Sequence, residues 1–238
     1  MGRCSFKIIN MTEKEIKISI IIRTYNSVKV VGEAINSVLV QDVIYFPYEI
    51  LIVDDGSVDG TIDFLEKNYK DKIRIVRQKH SGHVVATNKG ISESRGKYVI
   101  LLDSDDVLKH GALVEMVKSF DNDETIDFVY CDYFEEMGKN KKIVSLEKNI
   151  FLSLGCGIIF KKELFEELGL FDKNLIFAEY DFLIKLINSK KKGKHISIPL
   201  YVYRRSAGSI TSNQKVVDEG IMQLKDKYGE IAERIRKY

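Results

Sequence analysis

The chain has 238 residues, 45% of them hydrophobic and 30% charged, a balance that supports one sizeable globular core. Its 37 Lys and Arg residues stand against 35 Asp and Glu, a formal net charge of +2, which excludes a protein that lives on nucleic acid or another polyanion. The scattered cysteines Cys4, Cys131 and Cys156 show no short paired spacing, which excludes a zinc knuckle or a disulfide framework and fits a reducing cytosol.

The opening MGRCSFKIINMTEKEIK lacks the apolar core of a secretory signal, and no apolar run approaches the ~18 to 20 residues that span a bilayer. A soluble or peripheral, cytoplasmic protein is expected. Residues 16–23 form an isoleucine-rich run that reads as a buried strand. Asn26 or Ser27 is placed to cap the next helix, whose Val31, Ala34, Ile35, Val38 and Leu39 repeat at helical spacing to about residue 41. A second strand over 48–53 stops at Asp54, Asp55 and Gly56, and Ser57 or Asp59 caps a helix to about residue 70. A third strand over 73–77 leads through a glycine-bearing turn to a helix over 83–94, and a fourth over 98–102 ends at Asp103. Four alternations of strand and helix predict an α/β fold: a doubly wound, mostly parallel sheet flanked by helices, with ligand sites beyond the carboxyl ends of the strands.

The second half reads differently. A strand over 128–134, a polar turn over 138–142 and a return over 143–146 make the sheet mixed. Helices over 161–168 and 179–188, strands near 195–203 and a lysine-rich amphipathic helix over 216–237 complete one domain without repeats or linkers.

The strand exits carry the chemistry. YVILLDSDDVL sets Asp103 and Asp105 two residues apart behind five apolar residues. Such a pair suits a divalent cation, Mn2+ or Mg2+, that bridges a diphosphate, and it also suits turn and capping aspartates. Asp121 and Asp123 repeat the spacing in an expected exposed loop and are read as turn residues. Asp54 and Asp55 are open to two readings, helix capping or acceptance of hydrogen bonds from a base or ribose hydroxyl. Tyr25 is placed either to pack on a nucleobase or to serve as partly buried scaffold. No G-x-G-x-x-G follows the first strand, so a dinucleotide site is not expected. His80 and His83 flank the turn after the third strand, placed either to touch phosphate or to be solvated or packed, the second reading being preferred.

Taken together, IIIRTYN, EILIVDDGSVDGT, SGHVVATNKGI, SRGKYVILLDSDD, GCGIIFKKELFEELGLFD and AEYDFLIKL, in this order from about Ile18 to Thr211, resemble family 2 glycosyltransferases. The resemblance implies an inverting enzyme of GT-A fold that takes a nucleoside diphosphate sugar and a glycan or lipid-linked acceptor. Residues of about 16–120 would bind the donor, about 121–211 the acceptor, and 212–238 would form a C-terminal helix. By position, Thr24, Tyr25, Asp54, Asp55, Asn88, Arg95, Asp103 and Ser104 look like the nucleotide-sugar set, and Asp103 and Asp105 like the metal motif. Glu179 falls at the general-base position with Asp181 as the alternative, and Ala178 replaces the family's preceding Glu. Two further departures are Arg23, where proline is common, and Ser206, where many relatives carry a histidine near the diphosphate.

Rival readings follow from the same residues. A receiver-like signalling domain would want its acid pair after the first strand, where Thr24, Tyr25 and Asn26 stand instead. A sugar nucleotidyltransferase would want a glycine-rich loop there. A nucleotide-sugar-binding protein without turnover fits Ala178 and Ser206. The basic C-terminal helix, with Lys225, Lys227, Arg234, Arg236 and Lys237, either caps the domain or touches an anionic inner membrane face.

Overall fold

A strand whose side chains on both faces are aliphatic is stable only between two layers, and β1 (Ile18–Thr24), with four isoleucines, is buried on both. The computed structural model describes residues 15–41, 45–153, 155–205 and 212–234. In chain order β1 is followed by α1 (Val31–Leu39), β2 (Tyr48–Asp54), α2 (Thr61–Tyr69), β3 (Arg74–Arg77), α3 (His83–Glu93) and β4 (Tyr98–Asp103). Then come β5 (Val107–Leu108), α4 (Ala112–Asn122), β6 (Phe128–Met137), β7 (Asn140–Val144), β8 (Ile158–Lys161), α5 (Glu163–Leu168), α6 (Ala178–Asn188), β9 (Gly193–Arg204) and α7 (Gln214–Tyr228).

Among the described residues the strands form one sheet in the order β3-β2-β1-β4-β8-β6-β9-β5, with β7 hairpinned to β6. The first four run parallel. Beyond them β8 is antiparallel to both β4 and β6, while β9 is parallel to β6, so the sheet is mixed in its second half. This is the expected α/β architecture of GT-A type, one mostly parallel sheet between helical layers.

Alternation along the strands divides the core. Ile18, Ile20 and Ile22 join Ile50, Ile52, Ile100 and Leu102 beneath Ile35 of α1, Leu65 of α2 and Met116 and Phe120 of α4. Ile21, Leu51, Val53, Val99 and Leu101 point the other way, with Val84 and Ile91 of α3, Phe165 of α5 and Phe182 of α6. Each fully buried aliphatic contributes about 1.5–3 kcal/mol.

Several local expectations are corrected. The Asn26 and Ser27 side chains do not cap α1. The Asn26 amide accepts from Val58 N at 2.9 Å, and the Ser27 hydroxyl lies against Tyr25 O at 3.1 Å, because the loop over the strand edge claims both. The N-cap of α2 is Gly60, which has no side chain to offer; Asp59, one residue earlier, accepts from Thr61 N at 3.0 Å and shapes the turn into the helix. Asp121 sits on the last turn of α4 rather than in a loop. That helix exists because Leu113, Met116, Val117 and Phe120 recur at three- and four-residue spacing and are buried. The final α-helix stops at Tyr228, before Gly229 takes a positive φ of 62° and a 3-10 turn follows.

At the opposite end of the sheet from the strand exits, Gly96 permits the tightest approach of backbone to backbone. A Cβ there would lie 2.5 Å from Ser19 N and 2.8 Å from Tyr98 O, with no flexible side chain to give way. Gly96→Ala is expected to destabilise the protein by about 1–3 kcal/mol, read as a lower midpoint in a urea titration. An unchanged midpoint would contradict the packing.

Candidate active site

Parallel pairing brings the exits of β1, β2 and β4 to one edge: Thr24 lies opposite Asp54, and Arg23 opposite both Val53 and Asp103. The polar residues that end three adjacent parallel strands, Thr24, Asp54 and Asp103, must therefore share a rim. Across that rim, α6 contributes Glu179 from its first turn. Between them is a cavity of about 480 Å³, inside the usual range for small-molecule sites. Its lining includes Arg23, Thr24, Tyr25, Asp55, Asp103, Ser104, Asp105 and Glu179, with His80, His83, Cys156, Phe177, Tyr201 and Arg204.

The acidic end of β4 is the electrostatic centre. The Arg23 guanidinium donates to Asp103 Oδ1 and, at 2.8 Å, to Thr87 Oγ1, and it lies 3.6 Å from Glu179 Oε1. Burial alone would weaken the charged guanidinium, but Asp103 and Glu179 outweigh it and raise the Arg23 pKa further. Burial pushes the Asp105 carboxyl up, and repulsion from Asp103 adds to it. Burial and the same neighbour push the fully buried Asp106 well up; it accepts from Tyr201 Oη and Arg204 N, both at 2.8 Å. Asp106 is thus a structural anchor for β9, whereas Asp103 and Asp105 face the cavity with an electrostatic demand for positive charge.

Those two carboxylates are the hard oxygen donors that suit Mg2+ or Mn2+. No group of three or more His, Cys, Asp or Glu able to hold a metal occurs among the described residues. A cation held by Asp103 and Asp105 would take its remaining oxygens from a ligand, which is how Mg2+ usually sits with phosphates.

At the second exit the acids build the rim, and of the two Asp55 lines the cavity. Asp55 Oδ1 accepts from Gln78 Nε2 at 2.7 Å and Ser81 N at 2.9 Å, and Oδ2 from Gly82 N at 2.9 Å. His80 Nδ1 lies 2.8 Å from that second oxygen and 3.2 Å from Asp55 O, so the carboxylate is held by the turn that follows β3. Asp54 is fully buried behind Thr24, receives its hydroxyl at 3.3 Å and Ser57 N at 3.2 Å, and does not line the cavity. Tyr25 is 46% exposed and stacked on His80 with ring centroids 4.0 Å apart, a flat aromatic platform at the rim.

Three expected site residues lie elsewhere. Asn88 clamps the backbone of Phe171, donating at 2.8 Å and accepting at 3.0 Å. Arg95 sits at the amino-terminal end of the strands, where its N–H donates to Glu49 Oε1 at 2.7 Å. Asp181 is buried under α7. In the other direction, His80 and His83, read as solvated or packed in preference to phosphate contacts, both line the cavity, as do Arg23, Tyr201 and Arg204. His80 and His83 follow the β3 exit and Arg23 stands at the β1 exit, so the strand-edge rule already pointed to all three, though not to the partners of Arg23. Ser206 lies outside the described residues.

A family model described as glycosyl transferase family 2 matches residues 19–169. An uncharacterized glycosyltransferase of Rickettsia prowazekii is 32% identical over 188 residues, which covers 71% of this chain and 58% of the relative. The chain spans only 22% of a Rickettsia felis relative. Of solved structures, S. aureus TarS 1–349 in complex with UDP-GlcNAc has a TM-score of 0.69 at 22% identity, over 92% of this chain and 69% of that one. The mannosyltransferase PcManGT from Pyrobaculum calidifontis, in complex with GDP-Man and Mn2+, has a TM-score of 0.70 at 20% identity, over 89% of this chain and 63% of that one. Both structural likenesses establish a shared fold.

Asp181, two residues beyond Glu179, ties the cavity wall to α7. Its Oδ1 accepts from Tyr228 Oη at 2.6 Å and meets Lys227 Nζ at 2.7 Å, while Oδ2 faces Lys185 Nζ at 3.0 Å, an ion pair without hydrogen-bond geometry. Burial opposes this anion, but Lys227, Tyr228 and Lys185 hold its pKa below the ordinary 3.8. A depressed folded-state value means that the stabilisation is complete above 3.8 and is lost as pH falls through the folded value. Asp181→Asn is therefore expected to cost about 1.5–3 kcal/mol at pH 7. In denaturant titrations that deficit should shrink below pH 3.8; a deficit independent of pH would contradict the ion cluster.

Proposed function

The chain belongs to glycosyl transferase family 2, and on that premise we propose that it transfers a glycosyl group from a nucleoside diphosphate sugar to an acceptor hydroxyl, with inversion at the anomeric carbon. The observation that carries this reading is the meeting of Asp103, from the end of β4, with Glu179, from the first turn of α6, on one cavity. Inversion needs a nucleophile on the face opposite the leaving group, hence a base and a leaving-group stabiliser on two walls of one cleft.

Glu179 is the base. Its side chain is one-fifth exposed, reachable by an acceptor hydroxyl yet held in place. Gly155, with φ of +77°, lies against it so closely that a Cβ would meet Glu179 Cγ at 2.7 Å. That contact fixes the rotamer, and a positioned carboxylate that takes the hydroxyl proton contributes about 10² to 10⁴-fold. Asp103 and Asp105 would hold a divalent cation, Mn2+ or Mg2+, which supplies charge neutralisation at the diphosphate. The Tyr25 and His80 stack offers its ring face to the nucleobase, and Thr24 and Ser104 line the same cavity. Ile176, Phe177, Tyr203 and Arg204 wall the side from which a glycan or lipid-linked acceptor enters. We place the reaction in the cytoplasm.

A second reading, nucleotide-sugar binding without turnover, is favoured by Ala178 in place of an acid and by the guanidinium already seated on Asp103. Turnover separates the two. In a thermal-shift panel of UDP, GDP and their sugars, with Mn2+, Mg2+ or chelator, selective stabilisation is expected for one base and is weakened by chelator. Glu179→Gln should keep that donor-induced shift and transfer at least ~100-fold more slowly. Near-normal transfer by the variant would remove Glu179 from its role, and wild-type protein without donor hydrolysis or transfer would favour the binding protein.

A further inference from the structure

Asp103 reaches the cavity already engaged by a positive charge. Arg23 is the penultimate residue of β1 and stands in register with Asp103 on β4, so two neighbouring strands present a cation and an anion side by side. Its side chain is only 14% exposed and is held from three elements. One nitrogen donates to Asp103 Oδ1. Another donates at 2.8 Å to Thr87 Oγ1 on α3, whose own hydroxyl is tied to His83 O at 2.8 Å. That second nitrogen also lies 3.6 Å from Glu179 Oε1 on α6. A guanidinium fixed in this way is part of the site's wall. It stands between the carboxylate assigned to the cation and the carboxylate assigned to the acceptor.

We propose that Arg23 is a positioning residue that serves as the site's resident counter-ion, so that a divalent cation is bound tightly only together with the nucleoside diphosphate. The inference rests on the reading given under Proposed function and adds an order of assembly to it. Without donor, Arg23 neutralises Asp103, and an incoming divalent ion meets the already compensated carboxylate of Asp103, the carboxyl of Asp105 and a nearby positive charge. A diphosphate changes both terms. Its oxygens complete the cation's shell, and its negative charge gives the guanidinium a second anion to face. Cation and nucleotide then raise each other's affinity by the same factor, as linkage requires.

The test measures Mn2+ binding directly, from the electron paramagnetic resonance signal of the free aquo ion, with and without saturating UDP or GDP. Wild-type protein is expected to bind Mn2+ at least about 10-fold tighter when the nucleotide that stabilises it is present. Arg23→Gln, which keeps a donor for Thr87 and loses the charge, should bind Mn2+ about 10-fold tighter than wild type without nucleotide and lose most of that coupling. Arg23→Lys, which keeps the charge, should stay close to wild type, and Asp103→Asn should lose Mn2+ in every case. Equal Mn2+ affinity in wild type and Arg23→Gln, with loss in Asp103→Asn, would overturn the role of Arg23 and leave the metal reading standing. Should Arg23→Gln fail to fold, equal Mn2+ affinity of the wild type with and without nucleotide overturns the inference by itself. Absence of Mn2+ binding in all variants, with nucleotide present, would overturn both the metal reading and the inference.

Discussion

The parallel registration of β1 between β2 and β4 is the constraint on which this molecule depends. Ile18 lies opposite both Tyr48 and Tyr98, and the pairing continues without a slip to Asp54 on one side and Asp103 on the other. Because β1 is buried on both faces, a shift of one residue would send its isoleucines to the wrong helical layer and carry Ser19 and Arg23 with them. Apolar burial thus fixes, to within one residue, which polar side chains emerge at the carboxyl edge. The chemistry at that edge follows from packing far behind it.

Concentrating acids on one edge carries an electrostatic cost, and the structure disperses it in three ways. Asp54 and Asp55 are absorbed into turn hydrogen bonds with Ser57, Gln78, Ser81 and Gly82. Asp106 is buried against Tyr201 and the backbone of Arg204 and holds β9 to the end of β4. Asp103 is balanced by Arg23. Asp105 keeps a carboxyl that burial and its neighbour make reluctant to ionise, and it is the group with most to gain from an arriving cation.

The second half of the chain contributes a wall that is held as firmly as the rim. Phe160, Phe165, Phe171 and Phe182 form an aromatic cluster whose touching rings have centroids 4.6 to 5.7 Å apart, and it seats α6 on the sheet. From α7, Tyr228 and Lys227 then grip Asp181 from the side away from the cavity. Glu179 therefore projects from a helix clamped on both sides, and Gly155 limits its remaining freedom. A carboxylate held in this manner would need little reorganisation to take a proton in the role proposed for it.

Much of this was legible in the residues themselves. Continuous apolar runs marked β1, β2 and β4, abrupt acids marked their exits, and Asp59 marked the start of α2, because each of these is a local pattern with one dominant physical cause. The short strands β5 and β8 carried too few residues to show a period, and α4 was passed over although Leu113, Met116, Val117 and Phe120 bore its signature. Position in the chain placed Asn88, Arg95 and Asp181 near the donor or the acceptor, yet a side chain's direction depends on which element packs against it. Tertiary contacts turned Asn88 to Phe171, left Arg95 at the far end of the sheet and buried Asp181 under α7. The same holds for Arg23, whose partners are 64, 80 and 156 residues away along the chain. The sequence by itself determined the four parallel strands, their exits and the family of folds, since these rest on periodicity and turn chemistry within about ten residues. Which charges meet across the cleft was decided only when β1, β4, α3 and α6 were brought together, because Coulomb pairing acts on distance in space and leaves no period in the chain.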